Sequence, residues 1–101
     1  MEKVLQNLIE NTPDLLNFFA GYFPLAEFDG LTDEQVVTNY MVSNTKETIV
    51  QTKKELDALQ KDSDVLEIIA REANKYFESC DDTWQWIQKI KEMYTNALEY
   101  H

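Results

Sequence analysis

Leu16-Asn17-Phe18-Phe19-Ala20-Gly21-Tyr22-Phe23-Pro24-Leu25-Ala26-Glu27-Phe28-Asp29-Gly30 holds five of the twelve aromatic residues of a 101-residue chain, both of its glycines and one of its two prolines. Each aromatic side chain buries a large apolar area, so this segment supplies much of any core. Pro24 lacks a backbone N–H, and its ring clashes with the preceding turn of a helix. The reading is therefore a helix over 13–22 carrying Leu15, Leu16, Phe18 and Phe19, then an apolar, acid-flanked loop from Pro24 to Gly30.

The flanking chain reads as further helices. Val4, Leu5, Leu8 and Ile9 line one face of a first helix over 2–10. Thr12 is placed to cap the second helix, with Pro13 at its first position and Asp14 at the positive end of its dipole. Leu31-Thr32-Asp33-Glu34-Gln35 predicts a capping box, with Leu31 and Val36 as a hydrophobic staple. The third helix, 33–43, then buries Val36, Val37, Tyr40 and Met41. The fourth, about 45–61, has an apolar stripe at Ile49, Leu56 and Leu59. Lys46, Lys53, Lys54, Glu55, Asp57 and Lys61 form its solvated face. Asp62-Ser63-Asp64 caps a fifth helix carrying Val65, Leu66, Ile69, Ala70, Ala73 and Phe77, with Tyr76 beside them. The last helix, 83–100, has two apolar stripes, one through Trp84, Ile87, Tyr94 and Leu98, the other through Trp86, Ile90, Met93, Ala97 and Tyr100. That breadth predicts a central position. Trp84 and Trp86 are about 200° apart on a helix, so one is partly exposed. No segment alternates with period two, and the expected fold is all-α: a single-domain bundle of five to six short helices over residues 1–101.

Charge is the main anomaly. Nineteen acids against nine bases give −10. Residues 1–34 carry −6 of it, residues 35–63 balance, and residues 64–101 carry −4. Such a field repels nucleic acid, whose binding requires Lys and Arg on phosphates, and draws in basic partners. Excess acid also serves solubility alone. No apolar run approaches the roughly 20 residues that span a bilayer. The opening Met1-Glu2-Lys3-Val4 lacks a signal peptide's apolar core, and the single cysteine, Cys80, fits a reducing compartment. A cytoplasmic protein is expected.

The catalytic inventory is thin. The only histidine, His101, occupies the last position, where disorder is the default. No serine sits in a nucleophile elbow, and two glycines cannot build a phosphate cradle. Cys80 stands beside Asp81 and Asp82, and neighbouring negative charge disfavours a thiolate, which argues against a reactive cysteine. Zinc lacks its Cys and His ligands. Asp29-Gly30-Leu31-Thr32-Asp33-Glu34 fails as a calcium loop, with Leu31 where an oxygen ligand belongs and Glu34 where the glycine belongs. No enzyme, metal or cofactor is expected.

Surfaces remain. Two acidic stretches flank aromatic residues, Glu27 through Glu34 and Glu78 through Trp84, and interface hot spots favour aromatics ringed by polar groups. Capping alone accounts for Asp33, Glu34, Asp81 and Asp82 at helix starts. Taken as a set, the clusters and the charge skew favour binding. Asn17-Phe18-Phe19-Ala20-Gly21-Tyr22-Phe23-Pro24, Asp29-Gly30-Leu31-Thr32-Asp33-Glu34-Gln35-Val36-Val37, Ala73-Asn74-Lys75-Tyr76-Phe77 and Thr83-Trp84-Gln85-Trp86-Ile87 together resemble the CdiI immunity proteins of bacterial contact-dependent growth inhibition. The resemblance spans Leu16 to Ile90 and rests on aromatic blocks in order. It implies a cytoplasmic monomer that forms a 1:1 heterodimer with the C-terminal toxin domain of a cognate CdiA effector, a basic nuclease and by this resemblance a ribonuclease of the ribonuclease A-like class. It implies no contact residues. Charge and aromatic clustering select Glu27, Asp29, Asp33, Glu34, Glu78, Asp81, Asp82 and Trp84 for toxin binding, with Phe18, Phe19, Tyr22, Phe23 and Trp86 as scaffold. Three other readings stand beside this one. They are an acidic adaptor or nucleic-acid mimic, a helical domain with an apolar ligand pocket lined by Phe18, Phe23, Phe28 and Tyr40, and a structural subunit.

Overall fold

Helix α2 runs from Pro13 to Asp29, straight through Pro24. The expected loop from Pro24 to Gly30 is therefore helix, and energetics explain why. Proline inside a helix costs about 3 kcal/mol, but continuing the helix buries Phe23 and Ala26. The Phe23 ring then lies 5.3 Å from Phe18, 5.5 Å from Phe19 and 5.2 Å from Trp86. A buried phenylalanine is worth about 1.5–3 kcal/mol, and each aromatic pair adds about 0.5–1.5 kcal/mol. Tertiary burial outweighs the local penalty. The helix stops at Gly30, whose φ of 73° is left-handed. There the Leu31 N–H reaches back 2.8 Å to the Ala26 carbonyl in a Schellman-type end.

The computed structural model describes residues 2–99, without the side chains of Glu2 and Glu27. The readings that fell on His101, on Tyr100 and on the Glu27 carboxylate lie outside the described residues. Within them the chain is an all-α bundle, α1 (Glu2–Asn11), α2, α3 (Asp33–Ser43), α4 (Lys46–Asp57), α5 (Ser63–Glu72) and α6 (Cys80–Glu99), with no strand among the described residues.

The capping box of α3 forms as its sequence predicts. The Thr32 N–H donates to Gln35 Oε1 at 2.8 Å, and the Gln35 N–H donates to Thr32 Oγ1 at 3.2 Å. Val36, Val37, Tyr40 and Met41 are all buried. Thr12 behaves otherwise. Its hydroxyl donates to the Leu8 carbonyl at 2.9 Å instead of capping α2. Glu55 of α4 takes over that duty, accepting the Leu15 N–H at 3.1 Å and the Gln51 side-chain amide at 2.8 Å. Glu55 is 6% exposed, so it does not belong to the solvated face expected of it.

Three other boundaries move. Helix α4 ends at Asp57, short of 61, and Asp62 Oδ1 caps α5 by accepting from the Asp64 and Val65 N–H groups. Helix α5 ends at Glu72 because Asn74 turns left-handed, with φ 58°. The Asn74 and Lys75 N–H groups then close a Schellman motif on the Arg71 and Ala70 carbonyls. Phe77 thus comes from the α5–α6 connection, and Tyr76 is exposed. Helix α6 starts earlier than 83, at Cys80, where Ser79 Oγ accepts the Asp82 N–H at 3.1 Å.

The centre of the bundle is shared. Helix α2 packs on α1, α3, α4 and α5, while α6 packs on α3, α4 and α5. Between α2 and α6 lie the rings, with Phe18 5.5 Å from Tyr94 and Phe19 5.6 Å from Trp86. Phe18 and Tyr40 pack at 4.8 Å, leaving no room between them for a ligand. Phe28 points outward. The apolar pocket expected from Phe18, Phe23, Phe28 and Tyr40 is a filled core plus one exposed ring.

Candidate protein-binding surface

The side chains singled out by charge fall into different environments. Asp33, at the first position of α3, is half-buried and turned inward. Its Oδ2 accepts the Trp86 indole N–H at 2.8 Å, and its Oδ1 lies 3.7 Å from Lys75 Nζ. The acid is thereby committed to the scaffold. It satisfies the one polar atom of a buried tryptophan, which otherwise leaves an expensive unpaired donor. This bond also ties the first turn of α3 to the second turn of α6, so the two acidic stretches border one another.

The second stretch is partly neutralised. Asp81 is exposed and pairs with Lys61. The hydrogen bond and charge of Asp81 raise the pKa of that ammonium. Glu78 lies in the α5–α6 connection, on an open groove of about 450 Å³ whose wall also carries Arg71 and Lys75. Asp82 is exposed in the first turn of α6, where the helix dipole favours an acid. Trp84 is half-buried against the core and Trp86 is buried, so the tryptophan pair divides as its spacing predicts. Cys80 is free and half-buried at the start of the same helix.

The first stretch is different. Glu34 is exposed in the first turn of α3, again where the dipole favours it. Asp29 is exposed at the last residue of α2, the negative end of that helix, where an acid costs about 0.3–1 kcal/mol. Among the described residues no cation lies within ion-pair distance of Asp29 or Glu34. Beside Asp29, a second open groove of about 520 Å³ runs between α2 and α3, over Gly21, Tyr22, Leu25 and Ala26.

Three apolar residues on these two helices are exposed: Leu25, 67%, and Val42, 73%, which escaped the sequence reading, and Phe28, 92%, which that reading places in a ligand pocket. The signal was present for two of them. At about 100° per residue, an α2 continued through Pro24 puts Leu25 and Phe28 on the side of Gly21, away from Leu15, Phe19 and Ala26. Placing a loop after Pro24 hid it.

No group of acids, cysteine and histidine capable of holding a metal occurs among the described residues, and no helix among them is long and apolar enough to cross a membrane. Compared with protein-family models, with curated proteins and with solved structures, the chain matches none.

Proposed function

We propose that this chain binds a basic protein and neutralises it, acting as a CdiI-type immunity protein against the C-terminal toxin domain of a cognate CdiA effector. The observation that carries this reading is Asp29. It is exposed, has no cation within ion-pair distance among the described residues, and sits at the end of α2 where the local field disfavours it. Helix capping accounts for Glu34 and Asp82. It does not account for Asp29, whose carboxylate gains only when a positive charge arrives from outside. A ribonuclease toxin brings such charge, because its cleft must hold phosphates. An acidic inhibitor fills or covers that cleft, associates quickly by electrostatic steering, and rejects non-cognate toxins through mismatched charges. The complex is a 1:1 heterodimer in the cytoplasm, and the chain performs no catalysis of its own.

Co-expression with the toxin domain encoded immediately upstream tests the reading. Cell survival, followed by stoichiometric inhibition of RNA cleavage by the purified pair, is the expected result. Continued killing with no complex on gel filtration removes the immunity role.

A further inference from the structure

From Val4 to Thr45 the sequence contains no lysine, arginine or histidine. The whole of α2 and α3, and the groove between them, is therefore built without a positive charge of its own. The basic residues of the chain outside Lys3 belong to later segments: Lys61 pairs with Asp81 of the other acidic stretch, and Lys75 reaches Asp33, the one acid of α3 turned inward to Trp86, away from the α2–α3 groove.

On this cation-free face lie Leu25, Phe28 and Val42. Leu25 lines the α2–α3 groove, Phe28 follows one turn on, and Val42 precedes Ser43 of the opposite wall. Gly21 lines the groove. A Cβ there meets the exposed Asn17 side chain at 3.1 Å, which must shift by a few tenths of an ångström to admit it. No left-handed φ requires a glycine at this position, and glycine weakens a helix interior. Its absent side chain keeps the groove open.

We infer that the α2–α3 face, centred on Leu25 and Phe28 and rimmed by Asp29, is the docking surface, and that its occupant is a basic amphipathic segment of a protein partner. The inference rests on the reading of the chain as a binder of a basic protein and names the face that does it. Apolar anchors ringed by charge are the usual anatomy of an interface centre. The aliphatic stems of Lys and Arg cover apolar surface while their charged heads meet carboxylates, which suits Leu25 beside Asp29. Charge eliminates the other occupants. A second copy sets Asp29 and Glu34 against acids of the same face, and an anionic membrane is repelled by a surface lacking every cation.

The test is chemical-shift mapping of the isotope-labelled chain with a synthetic peptide of Lys and Leu in helical period, beside polylysine and a Glu/Leu peptide of the same pattern. Saturable shifts confined to residues 17–29 and 38–43 are expected with the Lys/Leu peptide alone. Leu25→Ser with Phe28→Ser should weaken that binding about tenfold or more. Both positions are exposed, so the circular dichroism spectrum should not change. Asp81→Lys with Asp82→Lys should stay within about twofold. Shifts centred on 78–84, equal response to polylysine, or concentration-dependent dimerisation abolished by Phe28→Ser each overturn the assignment. The upstream toxin domain separates the two levels. If the Leu25/Phe28 variant still rescues cells, the face is wrong and the immunity role stands. If the parent chain fails to rescue yet holds the Lys/Leu peptide on this face, the immunity role is wrong and the face stands.

Discussion

Glu55 shows how one side chain joins two helices. Its two carboxylate oxygens accept from the Leu15 backbone and the Gln51 amide while the residue is nearly sealed from water. Glu55→Ala strands a buried N–H at the start of α2 and should cost about 1–3 kcal/mol in urea unfolding. Glu55→Gln keeps an acceptor and should recover most of that loss. Equal stability of the alanine variant and the parent would show that water replaces the carboxylate. Asp33 gives a second residue-scale test. Asp33→Ala should leave the Trp86 indole without its acceptor and shift tryptophan fluorescence, whereas Asp29→Lys should leave the emission unchanged. An unshifted spectrum for Asp33→Ala would argue against the bond. Phe19→Ala, which opens a cavity among Phe18, Phe23 and Trp86, should lower stability by about 3–5 kcal/mol.

At the scale of the element, α2 is where local rules and packing disagree. Pro24→Ala restores the N–H that the Ala20 carbonyl lacks and should stabilise the chain by about 1–2 kcal/mol. The gain in the helix is reduced by the freer unfolded chain. A melting temperature below the parent's would mean that the Pro24 ring itself contributes packing. The disagreement also explains which boundaries were legible in the sequence. Helix α3 is fixed by chemistry at its own end, so Thr32 and Gln35 announce it and its four buried residues follow. The ends of α5 and α2 depend on left-handed residues. Gly30 signals such a turn by type, whereas Asn74 adopts one without a distinctive sequence pattern. Glu55 was misplaced because its partner, Leu15, lies 40 positions away. The acids of the proposed site were visible from composition. Their division into committed, paired and unpaired carboxylates depends on distances that charge counting does not contain.

At the scale of the molecule, the core contains two phenols. Tyr40 Oη lies 2.6 Å from Thr52 Oγ1, and the Tyr94 hydroxyl donates to the Ile49 carbonyl at 2.7 Å. Burial, first among the causes, raises both pKa values above the ordinary tyrosine value. The unfolded chain therefore releases these protons first. Stability is fully present below about pH 10 and falls as pH rises above it, by up to about 1.4 kcal/mol per pH unit for each phenol. Chemical denaturation at pH values on either side of 10 should show this slope, and Tyr94→Phe should flatten it. A level profile through that range would mean that the phenols ionise without unfolding.

The rings of α2 also set an order on synthesis. Phe19 and Phe23 find their largest ring partner, Trp86, in α6, the last helix among the described residues. A nascent chain thus carries its most aromatic segment out of the ribosome early and holds it unsealed until α6 follows. During that interval Phe18, Phe19 and Phe23 are surfaces for chaperones, or for the wrong neighbour.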